Sequence, residues 1–200
     1  MNGIKVSVII PVYNQEELVI RAIESIPKRD DIEIIVIDDG SNDNTFSVAE
    51  RHLRKNILLV RNEKNKGVAY TVNRGYELAI GEYIVLLGSD DYFYKDKFEE
   101  IMKLLDGTDL VYFNLEINDG SIWRLTNESK VGFCGSVKFM RKEFIGNTRC
   151  PEDRKTGEDW FFYQELLKKN PTEKFSDITV KHYNYPRENS LTNLAIRKLL

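Results

Sequence analysis

Apolar runs and helical periodicities alternate through the first half of this chain. Lys5 to Ile10 reads as a strand, because an apolar run of this kind suits a strand covered on both faces. Glu33 to Ile37, Ile57 to Arg61 and Tyr83 to Leu87 repeat the pattern. Between the first two, Leu18, Ala22 and Ile26 recur at helical spacing ahead of Pro27, with Asn14 and Glu17 spaced as a capping box. Thr45 to Lys55 is a second predicted helix, with Phe46, Ala49 and Leu53 inward. Val68 to Ile80 is a third, with Ala69, Val72, Tyr76 and Ala79 on one face and Gly81 closing it. Lys95 to Leu105 is a fourth, ending near Gly107. Such alternation implies right-handed βαβ units and a mostly parallel sheet flanked by helices, an α/β fold.

After about residue 108 the rhythm changes. Leu110 to Ile117 reads as a strand, and Asn118-Asp119-Gly120 is a hairpin signal leading into Ser121 to Leu125. Val131 to Cys150 is mixed, with glycines that suggest loops. Glu158 to Lys169 is a helix with Phe161, Phe162, Leu166 and Leu167 on its apolar side. Ile178 to Tyr185 alternates as an exposed edge strand does, and Leu191 to Leu200 reads as a last short helix. The expected organisation is one domain, with residues 1–107 as a nucleotide-binding half and 108–200 as a small mixed acceptor-side half.

Composition narrows the classes. A chain of 200 residues is long enough for one domain with a real core. A net charge of −3 argues against a nucleic-acid partner, since such domains are usually basic. The two cysteines, Cys134 and Cys150, lack metal-type spacing and read as free thiols of a reducing compartment. No apolar stretch approaches the roughly 18 residues of a membrane span, and no signal peptide is evident. A cytoplasmic protein is expected, with peripheral association at the inner membrane face left open.

Two carboxylate pairs carry the chemistry. Asp38-Asp39-Gly40-Ser41 follows one apolar run and Ser89-Asp90-Asp91 another, which places both at the carboxyl edge of the sheet, where open α/β folds bind ligands. Adjacent ionised carboxylates repel unless donors or a cation compensate. One pair can accept hydrogen bonds from a nucleotide, and the other can hold a divalent metal against phosphate oxygens. The plainer readings are a turn at Asp-Gly-Ser with Asp43 capping the next helix, and a cap before Lys95. Glu158 and Asp159, in turn, can simply favour a helix start.

Val8-Ile9-Ile10-Pro11-Val12-Tyr13-Asn14, Ile37-Asp38-Asp39-Gly40-Ser41, Ser89-Asp90-Asp91 and Gly157-Glu158-Asp159 occur in order, each at a strand or helix end. Together they resemble family 2 glycosyltransferases over about residues 4–190. The resemblance implies a GT-A type fold and inverting, metal-dependent transfer of one sugar from a nucleotide-sugar donor, with a UDP-sugar expected. The acceptor would be a saccharide or lipid-linked molecule of surface-glycan synthesis. It also implies roles. Pro11 and Tyr13 lie along the base, Asp39 accepts from uracil N3–H, and Asp90 reaches the ribose. Asp91, expected on an open loop edge, holds manganese or magnesium, and Asp159, flanked by Glu158, is the catalytic base. Lys66 is a candidate phosphate or base contact. Arg187, with Tyr185, Asn189 and Ser190, resembles a loop that closes over the diphosphate. The chain departs from the pattern at Gly88, where many relatives carry a further acid, and at Val72, where they carry Arg while here Arg74 follows. His182 is a candidate metal ligand or a structural histidine, and Trp160 and Tyr163 are acceptor-stacking or core aromatics.

Two other classes remain. A nucleotidyltransferase shares the metal–acid chemistry but wants a Gly-rich, basic loop where this chain has Pro11-Val12-Tyr13-Asn14. A non-catalytic nucleotide-sugar binder, or a domain dependent on a partner, would bind donor without turning it over. Donor sugar, linkage and oligomeric state are not encoded in these motifs.

Overall fold

The computed structural model describes residues 3–130, 135–154 and 156–186. Nine strands form one sheet: β1 (Val6–Val12), β2 (Ile32–Asp38), β3 (Ile57–Arg61), β4 (Tyr83–Leu86), β5 (Tyr92–Phe93), β6 (Leu110–Ile117), β7 (Ile122–Trp123), β8 (Lys138–Arg141) and β9 (Glu173–Tyr183). Among the described residues six helices flank it: α1 (Val19–Glu24), α2 (Thr45–Glu50), α3 (Val68–Leu78), α4 (Lys95–Met102), α5 (Lys142–Ile145) and α6 (Glu158–Leu167). The spatial order is β3-β2-β1-β4-β8-β6-β9-β5, with β7 hairpinned onto β6. The first four strands are parallel, as their unbroken apolar runs require, and Val8, Ile10, Ile34, Val36 and Val85 are fully buried. Their carboxyl ends share one edge, which carries the Asp38-Asp39 and Asp90-Asp91 turns.

The two halves of the sequence interleave within this sheet. β8 inserts antiparallel between β4 and β6, and β5 pairs with β9 from the far end of the chain. Several expectations are corrected. Residues 131–150 contain a buried strand, β8, where loops were expected, and Phe139 and Met140 lie in the core. β9 starts at Glu173 and is interior, lying between β6 and β5; a register shift between the Tyr112–Phe175 and Asn114–Thr179 pairs takes up its extra residues. Asn14 does not cap a helix. Its φ is 51°, α1 begins at Val19, and Asn14 joins two loops instead: its N–H donates to Ser41 Oγ, and its Oδ1 accepts from the Asn42 N–H, both at 2.9 Å.

α2 stops at Glu50, so Leu53 is exposed and not inward. The expected helix over 191–200, the loop residues Arg187, Asn189 and Ser190, and Cys134 lie outside the described residues. Cys150 is a buried free thiol, its pKa pushed up to about 12 by burial and the nearby Glu158 and Asp159. Among the described residues no helix is long and apolar enough to cross a membrane.

Candidate active site

β2 ends in Asp38, which is fully buried. Its Oδ1 accepts from the Ser41 N–H at 3.0 Å. Arg61 Nε stands 3.1 Å from its Oδ2 in an ion pair whose angle does not suit a hydrogen bond. Arg61 also donates to the Ser41 carbonyl at 2.7 Å, so Asp38 ties the turn to β3. Asp39 is equally enclosed. Its Oδ1 accepts from Asn62 Nδ2 at 2.8 Å and the Lys66 N–H at 2.9 Å, and its Oδ2 accepts from the Gly67 N–H at 2.8 Å. These bonds draw the loop after β3 against the turn. Gly40 permits the approach: its φ is +70°, and a Cβ there would meet the Lys64 carbonyl carbon at 2.6 Å.

Tyr13 is exposed on the rim after β1, within reach of Asn42. Lys66 engages Asp39 through its backbone, while its ammonium lies over the Tyr70 ring at 5.8 Å. Arg74 braces β3, donating to Asn62 Oδ1 at 2.5 Å and the Arg61 carbonyl at 3.1 Å. Val72, in the place where relatives carry Arg, is buried and lines the central cleft.

The second turn follows β4. Asp91 is buried, not on an open loop edge. Its Oδ2 accepts from Lys181 Nζ and its Oδ1 from the Asn184 N–H, both at 2.9 Å. Lys181 is itself only 1% exposed and also donates to Ser136 Oγ at 2.5 Å. Gly88 leaves room for both carboxylates: a Cβ there would lie 2.9 Å from Asp91 Oδ2 and 3.0 Å from Asp90 Oδ1. His182 faces elsewhere. Its ring stacks on Tyr92 at 4.6 Å, and burial holds its pKa below the ordinary value. The resemblance implies a dication on Asp91. That carboxylate already has an ammonium on one oxygen and an amide on the other, and among the described residues no group of three or more His, Cys, Asp and Glu side chains has metal-holding geometry. As arranged, these residues do not fit a dication.

The third element is the start of α6, entered through Gly157 in the left-handed conformation. Glu158 and Asp159 form its first turn. Asp159 Oδ1 accepts from the Trp160 N–H at 2.8 Å, and its Oδ2 would lie 3.1 Å from a Cβ on Gly135. Burial, reinforced by the Asp159 charge, raises the pKa of Glu158. One cleft of about 570 Å³ joins Pro11, Gly88, Glu158, Asp159 and Lys181. The end of the second half therefore faces the β4 edge of the first across a single space.

Several contributors were not expected from sequence. Lys181 is one. Another is an aromatic cluster on the cleft wall: Trp123 lies 5.3 Å from Tyr185, which stacks on Tyr183 at 5.7 Å. A third is the way Asn73 clamps the strap before α6, donating to the Cys150 carbonyl and to Glu152 and accepting from the Cys150 N–H. The hairpin signal pointed to Trp123 and the resemblance to Tyr185, but nothing local marked that the two would meet with Tyr183 on one wall. Of the two candidate stacking aromatics on α6, Tyr163 is core, its hydroxyl 2.7 Å from that of Tyr112, and Trp160 is exposed.

Similarity to known proteins agrees with this construction. A glycosyltransferase of Rickettsia felis is 40% identical over 114 residues, covering 56% of this chain and 19% of its own length. The glycosyltransferase GlyG of Streptococcus pneumoniae is 32% identical over 127 residues, covering 59% of this chain and 42% of its own. The chain thus spans less than half the length of these relatives. Among solved structures, S. aureus TarS (residues 1–349) in complex with UDP-GlcNAc superposes with a TM-score of 0.83 at 24% identity, over 94% of this chain and 60% of that one. That likeness shows the GT-A type fold. The profile of glycosyl transferase family 2 matches residues 7–170, a span holding β1, both carboxylate turns and the acidic start of α6, and the chain belongs to that family.

Proposed function

We propose that this chain transfers one sugar from a UDP-sugar to a hydroxyl of a saccharide or lipid-linked acceptor, with inversion at the anomeric carbon. The observation that carries this reading is the shared cleft, in which Asp159 on α6 stands with Pro11 and Gly88 of the nucleotide-side edge. TarS, which has the same fold, binds UDP-GlcNAc, and this supports a uridine donor here.

In this scheme Tyr13, exposed beyond β1, lies against the uracil. A carboxylate offers about four lone-pair sites, and three on Asp39 are filled, so one is left for uracil N3–H. Asp90 meets the ribose. The acceptor oxygen attacks the anomeric carbon from the face opposite the diphosphate. Its proton passes to Asp159 as the new C–O bond forms, and the bond to the diphosphate breaks with its electron pair leaving on the phosphoryl oxygen. A single displacement of this kind inverts the centre. Asp159 is suited to the task because α6 fixes its backbone and Trp160 N–H engages only Oδ1. Trp123, Tyr183 and Tyr185 give the cleft an apolar wall on which a sugar ring can rest.

A panel of nucleotide-sugars tests the reading. UDP-sugars should raise Tm while CDP-sugars do not, because cytosine N3 would set an acceptor against Asp39. The preferred UDP-sugar should release UDP on incubation, slowly with water and faster with acceptor. A shift without turnover would identify a binder, and no shift with any uridine compound would refute the donor assignment.

A further inference from the structure

Lys181 is a lysine in the interior of a sheet, at the wall of the cleft, and the reaction scheme above does not yet use it. It is held from three sides. Asp91 Oδ2 lies at 2.9 Å, Ser136 Oγ at 2.5 Å, and the Tyr183 ring centroid at 5.2 Å. An ammonium has three N–H donors. Asp91 and Ser136 account for two, which leaves a donor for an oxygen in the cleft that Lys181 shares with Gly88 and Asp159. Its charge sits beside Asp91, the buried carboxylate on which the resemblance places a dication. A metal on the same Asp91 oxygen would stand within a few ångströms of the ammonium, and the two cations would repel. The other oxygen already accepts from the Asn184 amide.

We propose that the Lys181 ammonium, and not a divalent metal, is the cation that meets the donor diphosphate in this chain. The inference rests on the UDP-sugar reading above. Asp91 and Ser136 orient the ammonium, and Gly88 keeps the approach to it open. As the glycosyl bond breaks, charge grows on the departing phosphoryl oxygen. A fixed ammonium already aimed at that oxygen stabilises it more in the transition state than in the ground state, with no proton changing hands.

Calorimetric titration with UDP, in EDTA and then in excess Mn²⁺, tests this directly. The wild-type chain should bind UDP in EDTA within about threefold of its affinity in Mn²⁺. Lys181→Met should weaken binding in EDTA by about tenfold or more, and Lys181→Arg should retain most of it. Circular dichroism melting establishes that the variants are folded. Should Lys181→Met fail to fold, the wild-type comparison and Lys181→Arg still decide. Wild-type binding that disappears in EDTA and returns with Mn²⁺ would overturn the proposal while leaving the donor assignment standing. Lys181→Met binding like wild type in EDTA would overturn it equally. UDP binding under neither condition would remove the donor assignment, and this inference with it.

Discussion

The acids at the sheet edge and the acids at the start of α6 are the same functional groups in opposite circumstances. Asp38, Asp39 and Asp91 are buried, and both oxygens of each face a donor or a cation of the chain at 2.8–3.1 Å. Asp159 stands half-exposed on the cleft with one backbone donor, and Glu158 beside it has its pKa raised by burial. A carboxylate surrounded by fixed donors holds loops in place, and it reaches a ligand only through a remaining lone pair. A carboxylate with few partners on a cleft wall can take up a proton. By this contrast the edge acids hold the loops of the site, and the α6 acids are the candidates for the proposed proton transfer.

Four substitutions can break or sharpen that division. Asp159→Asn keeps the shape but removes the base, so turnover should fall by about 10²–10⁴ while UDP affinity and Tm barely change. Retained turnover, measured by UDP release, would move the base elsewhere, and loss in Glu158→Gln instead would place it one residue earlier. Asp91→Ala should act on the fold, because it leaves the Lys181 charge buried without its partner. The loss should be about 3–5 kcal/mol in urea denaturation. Adding Lys181→Met should recover most of it, and a double variant no more stable than the single would break the link. Asp39→Ala strands the Asn62 side chain and the Lys66 and Gly67 amides, at a cost of about 3 kcal/mol. Hydrogen exchange should accelerate at 66 and 67 first.

Glu158→Gln is the smallest. The folded-state pKa of Glu158 is raised, so it is protonated more readily in the native state. Its contribution is favourable below the unfolded value and is lost as pH rises through the folded one. Glu158→Gln should therefore melt slightly above wild type at pH 8, by less than about 1 kcal/mol, and level with it at pH 4. The opposite order would contradict the burial of this side chain.

What could be read from the chain divides along a physical line. β1, β2, β4 and β6 were legible because strands covered on both faces need continuous apolar runs, a local property. β8 was not, because its four residues begin and end in cations whose placement depends on distant groups. Lys138 lies 4.3 Å from the Tyr163 ring centroid, and Arg141 pairs with Asp109. β9 was misplaced for a related reason. A lysine in an alternating strand reads as solvent-facing, and distant partners, Asp91 90 residues earlier and Ser136, make Lys181 an interior residue. In the site, the acids were visible as strand-end and helix-start motifs. Their occupancy was not, since Asn62, Asn184 and Ser136 carry no signal until the fold brings them near.

The pairing of β5 with β9 bears on how the site comes into being on the ribosome. Tyr92 and Phe93 leave the exit tunnel early, yet their hydrogen-bonding partners, His182 and Lys181, follow roughly 90 residues later. Until then the Asp90-Asp91 turn has neither its ammonium nor its backbone donor, and closure of so distant a contact is slow compared with local helix formation. A nascent chain can fold the four parallel strands and still hold the Asp91 carboxylate without its counterpart. The cleft is therefore a late product of synthesis, completed in the same step that draws β9 into the sheet.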